Sequence, residues 1–205
     1  MRQALSDASP QPLDFLSRYW HMPAMTRQDN VFLIGPMGAG KTTIGRHLAT
    51  LVDKRFLDAD HEIEKSTGVT IPVIFEIEGE AGFRRRESMV ISKLTQERDI
   101  VLATGGGVVL LEENRQALTQ RGTVVYLHAD IDTLVERTRR DRNRPLLQTE
   151  DPRAKIEELL HQREPIYRQI ADVVVDTGQR APSSVARDIV ARLKDLDTKH
   201  EDPER

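Results

Sequence analysis

Residues 35–42 read Gly-Pro-Met-Gly-Ala-Gly-Lys-Thr, a GxxxxGKT phosphate loop between the apolar run Val31–Ile34 and the helical pattern Thr43–Ala49. Strand, glycine-rich turn and helix in that order aim successive backbone N–H groups and the positive end of a helix dipole at a polyphosphate. Gly38, Ala39, Gly40 and Thr43 are expected to form this cradle around the nucleotide. Lys41 should reach the outer phosphates, and the Thr42 hydroxyl should ligate Mg²⁺. The chain is therefore expected to bind ATP or GTP. The alternative is a glycine-rich turn that merely opens a helix. The motif alone leaves open what is done with the nucleotide, since kinases, motors and switches share it.

From Val31 onward, short apolar runs alternate with longer helical patterns. The runs are Val31–Ile34, Arg55–Leu57, Ile100–Ala103, Val124–Leu127 and Val173–Val175, with room for a helical crossover between each pair. This predicts an α/β fold with a doubly wound, mainly parallel five-stranded sheet flanked by helices. The 205 residues fit one domain, expected over 30–195. Residues 1–29 show no strong period apart from the stretch Leu13–Trp20 and are expected to be a flexible extension. Residues 196–205 are expected to be a polar tail. Net charge is −3 with both signs interspersed, which supplies no field for nucleic acid or a membrane surface and points to a small ligand. The absence of cysteine excludes disulfides and thiolate metal sites. Lacking a long apolar segment near the N-terminus, the chain is expected to be cytoplasmic, and a monomer is the expected state.

In open parallel sheets ligands sit beyond the carboxyl ends of the strands, so the residues there carry most of the functional signal. After the second run come Asp58 and Asp60, two carboxylates one residue apart. One can serve the metal and the other an acceptor hydroxyl; the plain alternative is that Asp60 caps the next helix. Farther on, Arg84 and Glu87 are three residues apart and share a helix face. They read either as a surface ion pair of little worth or as a buried guanidinium held for a substrate carboxylate. Thr104-Gly105-Gly106-Gly107 ends the third run. Three glycines there suggest a close approach of something to the backbone, and a slack connector is the other reading. The basic stretch Arg137–Leu147 suits a solvated helix face or a nucleic-acid patch. It also suits a mobile flap that brings an arginine to the phosphates. Arg168, near the end of a later helical pattern, has no meaning by itself.

Taken together, GPMGAGKTT, FLDAD, GEAGFRRRE, LATGGGVV, RPLL and the later YR resemble the shikimate kinases in order and spacing, over roughly residues 29–195. The resemblance implies a P-loop fold with a mobile lid and a small helical substrate-binding region. It also implies Mg²⁺-dependent transfer of the ATP γ-phosphate to the 3-hydroxyl of shikimate, on the route to chorismate and the aromatic amino acids. By that resemblance Lys41 is the phosphate lysine, Thr42 the Mg²⁺ ligand and Asp58 the carboxylate supporting the metal. Asp60 is the candidate base. Arg84 and Arg168 would clamp the shikimate carboxylate with Glu87 orienting Arg84. Gly106 and Gly107 would touch the ring, Arg137 would lie near adenine, and Arg144 would be the lid arginine at the transferred group.

The physics of the reaction asks for the same parts. A compact anion with three hydroxyls needs a cationic clamp at one end and an acceptor carboxylate at the other, and the transition state needs positive charge around the phosphoryl oxygens. Rival readings are a gluconate or other small-metabolite kinase on the same fold, a nucleoside monophosphate kinase, and a nucleotide-binding regulator without turnover.

Overall fold

The computed structural model describes residues 30–139 and 145–201. The expected extension over 1–29 and Arg144 lie outside the described residues. Five strands, β1 (Val31–Ile34), β2 (Arg55–Asp58), β3 (Ile100–Ala103), β4 (Thr123–His128) and β5 (Val173–Asp176), form one sheet in the order β2-β3-β1-β4-β5, with every pairing parallel. All five match the predicted runs to within a residue at either end. Among the described residues seven helices flank the sheet: α1 (Lys41–Leu51), α2 (Ala59–Thr67), α3 (Ile71–Leu94), α4 (Glu112–Arg121), α5 (Ile131–Thr138), α6 (Pro152–Ile170) and α7 (Pro182–Glu201). Two short 3-10 turns, Val108–Leu110 and Pro145–Leu147, complete the described elements.

Period-two alternation splits the core. In β1, Val31 and Leu33 face a cluster that includes Ile44 and Leu48 of α1 and Val185 and Ile189 of α7. Phe32 and Ile34 face the other way, with Ile91 of α3, Leu118 of α4 and Tyr167 of α6. All four β1 residues are buried, as a central parallel strand sandwiched by helices requires. Chain connections run from β1 toward β2 on one side and from β3 across to β4 on the other. The crevice at the carboxyl ends of β1 and β3 is therefore the topological switch point.

Two details depart from the sequence reading. Asp58, not Asp60, caps α2: its Oδ1 accepts from the backbone N–H of Asp60 and His61. A carboxylate in extended backbone just before the first turn is well placed for this, whereas Asp60 already lies inside that turn. The expected tail begins too early, because α7 continues to Glu201. Leu193 and Leu196 extend the stripe begun by Ile189 onto the core, so residue 196 still belongs to the packed domain.

Candidate active site

Gly38 and Gly40 sit at φ 81° and 89°, a left-handed conformation that lets the loop curl before α1 begins. Lys41 Nζ donates to the carbonyl oxygens of Gly35 and Pro36, each at 2.8 Å, which folds the side chain back over the loop toward the phosphate cradle. Thr42 Oγ1 donates to Asp58 Oδ2 at 2.7 Å, bringing the hydroxyl of α1 and the carboxylate at the end of β2 together. Gly38, Gly40, Lys41, Thr42, Thr43 and Arg137 all border one cleft, as do Asp58 and Asp60. Ala39 does not line it. Its methyl is buried in the core and its N–H donates to Pro36 O, so it shapes the loop from behind. Arg137, in the last turn of α5, donates to Gly38 O, Thr177 Oγ1 and Gly178 O. It thereby ties the phosphate loop to the loop after β5.

A second cavity opens beside this cleft. Its charged lining consists of Asp60, Arg84, Glu87 and Arg163, with Phe75 and Phe83 among its apolar walls. Asp60 and Gly106 border both spaces, and Asp60 is the ionisable group at the junction. The geometry thus places a carboxylate where the phosphate-loop cleft and the second cavity adjoin.

Arg84 Nη1 donates to Glu87 Oε2 at 2.7 Å, and Nη2 donates to Glu80 Oε1 at 2.9 Å. The Arg84 side chain is 11% exposed and that of Glu87 is 0% exposed, so this is a buried pair. A surface pair contributes about 0–1 kcal/mol, whereas removing one partner of a buried pair costs on the order of 3–5 kcal/mol. Burial alone would lower the Arg84 pKa, but the attraction of Glu87 and Glu80 outweighs it and keeps the guanidinium charged. For Glu87, burial pushes the carboxyl above its ordinary range, with Arg84 opposing that shift.

The triple glycine is surrounded on three sides. A β-carbon on Gly105 would overlap Glu87 Oε1, and one on Gly107 would overlap the Arg84 guanidinium. At Gly106 it would press at 3.4 Å on the phosphate-loop backbone. The loop is therefore not a slack connector; its middle residue touches the nucleotide cleft while its neighbours floor the second cavity.

One predicted arginine is not brought to the site. Arg168 is half exposed, pairs with Glu164 at 2.6 Å and lies over the Tyr126 ring. Arg163, one turn earlier on α6, lines the cavity instead. It is 4% exposed, and its Nε is buried with no hydrogen-bond partner. The physical reason is helical phase. Ile156, Leu160, Arg163 and Tyr167 fall at spacings of four, three and four on the buried face, while Arg168 lies about 100° beyond Tyr167. An arginine sitting on an otherwise apolar stripe was the available signal. Arg85 and Arg86, also in the basic triplet, point elsewhere: Arg86 pairs with Glu78 outside the cavity, and Arg85 lines a separate groove between α3 and α4. Pro145 and Leu146, just after Arg144, border the cavity.

A family model described as shikimate kinase matches residues 37–194. A shikimate kinase of Methylococcus capsulatus is 60% identical over 166 residues, covering 81% of this chain and 93% of that protein. One from Bordetella bronchiseptica is 50% identical over 206 residues, covering 96% of each. Among solved structures, the shikimate kinase from Acinetobacter baumannii in complex with shikimate superposes with a TM-score of 0.81 at 51% identity, covering 82% of this chain and 94% of that one. With the sheet order, the phosphate loop and these relatives in agreement, the chain belongs to the shikimate kinase family.

Proposed function

We propose that this chain transfers the γ-phosphoryl group of ATP to the 3-hydroxyl of shikimate, giving shikimate 3-phosphate and ADP, a step toward chorismate and the aromatic amino acids. The observation that carries this reading is the position of Asp60. It stands between a phosphate-loop cleft and a cavity lined by two arginines, Arg163 buried and Arg84 partly buried. A substrate with a carboxylate at one end and hydroxyls at the other fits that polarity.

Arg84 and Arg163 receive the carboxylate, and Glu87 holds Arg84 in place. Arg163 replaces Arg168 in this role because its guanidinium, not that of Arg168, lines the cavity. The Gly106–Gly107 backbone floors the ring, and Phe75 and Phe83 cover its apolar edge. Asp60 orients the 3-hydroxyl. As the new oxygen–phosphorus bond forms and the bond to the β-phosphate oxygen breaks, the hydroxyl proton passes to its carboxylate. Lys41 supplies positive charge beside the phosphoryl oxygens, and Arg137 holds the nucleotide end of the cleft. Arg144 is assigned to the transferred group by the family resemblance, as the first residue of the RPLL segment.

Oxygen donors suit Mg²⁺, and the Thr42 hydroxyl and Asp58 carboxylate lie together at the cleft. Among the described residues no cluster of three acidic or histidine side chains forms a separate metal cage, consistent with an ion completed by phosphate and water oxygens. Bound there, Mg²⁺ would neutralise charge on the β- and γ-phosphates. We further propose that residues 30–196 act as one catalytic domain, as a monomer in the cytoplasm. Among the described residues no helix is long and apolar enough to cross a membrane.

The test is ADP release from ATP and Mg²⁺ with shikimate, gluconate, a nucleoside monophosphate or no acceptor. Turnover that depends on shikimate is the expected result. Turnover with gluconate alone, or nucleotide binding with no acceptor-dependent turnover, would overturn the proposal.

A further inference from the structure

Tyr167 is completely buried on α6, one turn after Arg163, and its hydroxyl donates to the carbonyl oxygen of Gly106. The same hydroxyl interacts with the Arg163 guanidinium. A phenol offers one donor and two acceptor lone pairs, so it can give a proton to the carbonyl and accept one from Arg163 at once. Burial raises its pKa to about 12, although Arg163 and Arg84 oppose the shift, so the hydroxyl remains a donor at neutral pH.

The carbonyl it holds belongs to the middle of the triple glycine. All described peptide bonds are trans, so anchoring the Gly106 carbonyl toward Tyr167 points the Gly107 N–H in the opposite direction within the same peptide plane. Gly106 and Gly107 line the second cavity and Tyr167 does not, so the anchor holds the peptide from outside the cavity. Glycine has no side chain to hold such a peptide in orientation, and its backbone has more freedom than that of any other residue. An external anchor is what this loop needs.

We propose that Tyr167 is a positioning residue for the acceptor: one buried phenol sets the orientation of the Gly106–Gly107 peptide from outside the cavity and steadies Arg163. Two parts of the acceptor site are thus placed by a side chain that never touches the ligand. This rests on the reading of the cavity as the shikimate site. The neighbouring Tyr126 supplies a matched control. It stacks on Tyr167 with ring centroids 5.1 Å apart, and its own hydroxyl is buried with no hydrogen-bond partner.

The experiment compares Tyr167→Phe and Tyr126→Phe with the wild-type chain in steady-state kinetics, thermal melting and amide hydrogen exchange over residues 104–110 without substrate. Loss of one directed hydrogen bond predicts, for Tyr167→Phe, a KM for shikimate about 10-fold higher and exchange about 10-fold faster. The KM for ATP should change less than about 2-fold, and Tyr126→Phe should match the wild type in both KM values and in exchange. Unchanged KM and exchange in Tyr167→Phe would overturn the proposal. So would a loss spread evenly over kcat and both KM values in step with a lower melting temperature, which is the mark of a purely structural role. Should the wild-type chain fail to turn over shikimate, the proposed activity falls. The exchange comparison still decides Tyr167: faster exchange in its variant alone supports the anchor, and equal exchange removes it.

Discussion

The Arg84 guanidinium packs against the Cα of Gly107 so closely that a β-carbon there would overlap Nη1, Cζ and Nη2 together. A cation on α3 and a glycine after β3 are thereby fitted to each other, and the contact sets how far Arg84 can reach over the cavity floor. Glu87 and Glu80 hold the same guanidinium through its Nη1 and Nη2. Its position is consequently fixed from two parts of the chain, its own helix α3, which carries Glu80 and Glu87, and the glycine loop after β3.

Gly107→Ala is expected to act through Arg84. The new methyl meets the far end of a long side chain, which can move, so stability should fall by less than about 1–2 kcal/mol. The displaced guanidinium should raise the KM for shikimate by about 10-fold or more. Steady-state kinetics beside a melting curve checks this, and an unchanged KM would show that Arg84 does not reach the acceptor.

Arg163 and Arg168 should separate cleanly. Truncating a charged partner of a buried carboxylate costs on the order of 2–5 kcal/mol, so Arg163→Ala is expected to raise the KM for shikimate by roughly 30-fold or more. Arg168→Ala removes an exposed pair with Glu164 and should change it by less than about 3-fold. The reverse ranking in an isotherm of shikimate binding would return the clamp to Arg168.

Asp60→Asn keeps the size and polarity of the side chain but loses its capacity to take the hydroxyl proton. Turnover should drop by about 10²–10⁴-fold with ATP affinity within about 2-fold of wild type. Retention of most turnover would leave Asp60 as an orienting group at best.

Glu87 gives a pH signature. Its folded pKa is raised by burial, with Arg84 opposing. A carboxyl raised on folding stabilises below its unfolded pKa, and that contribution is lost as pH rises through the folded value. Glu87→Gln removes this titration. The melting temperature of the variant relative to wild type should therefore become more favourable as pH rises above the ordinary carboxylate range. A difference that is flat or falls with pH would mean that Arg84 holds Glu87 ionised at no net cost.

The sheet was legible because each strand is a short apolar run and each crossover a separate helical pattern, and local periodicity carries both. The phosphate loop was legible for a related reason: strand, turn and helix are contiguous, so Gly38, Gly40, Lys41 and Thr42 are brought to one place by local geometry. The pairing of Arg84 with Glu87 followed from a spacing of three, but its burial did not. Whether an ion pair is exposed depends on what covers it, and here Gly105, Gly107 and α6 do so from distant parts of the chain. The capping carboxylate was misplaced by two residues because either aspartate could cap in isolation, and only the extended backbone at Asp58 decides between them.

By itself, then, the sequence determined the α/β class, the strand boundaries to within a residue, the strand-turn-helix form of the phosphate loop and the family. Tertiary structure decided which arginine of α6 enters the cavity. Arg163 and Arg168 are alike in charge and five residues apart, so composition and motif cannot rank them. The helix can turn only one face to the buried interior, and the packing of Ile156, Leu160 and Tyr167 commits that face. Arg163 is carried inside with them, and Arg168 is left half exposed over the Tyr126 ring.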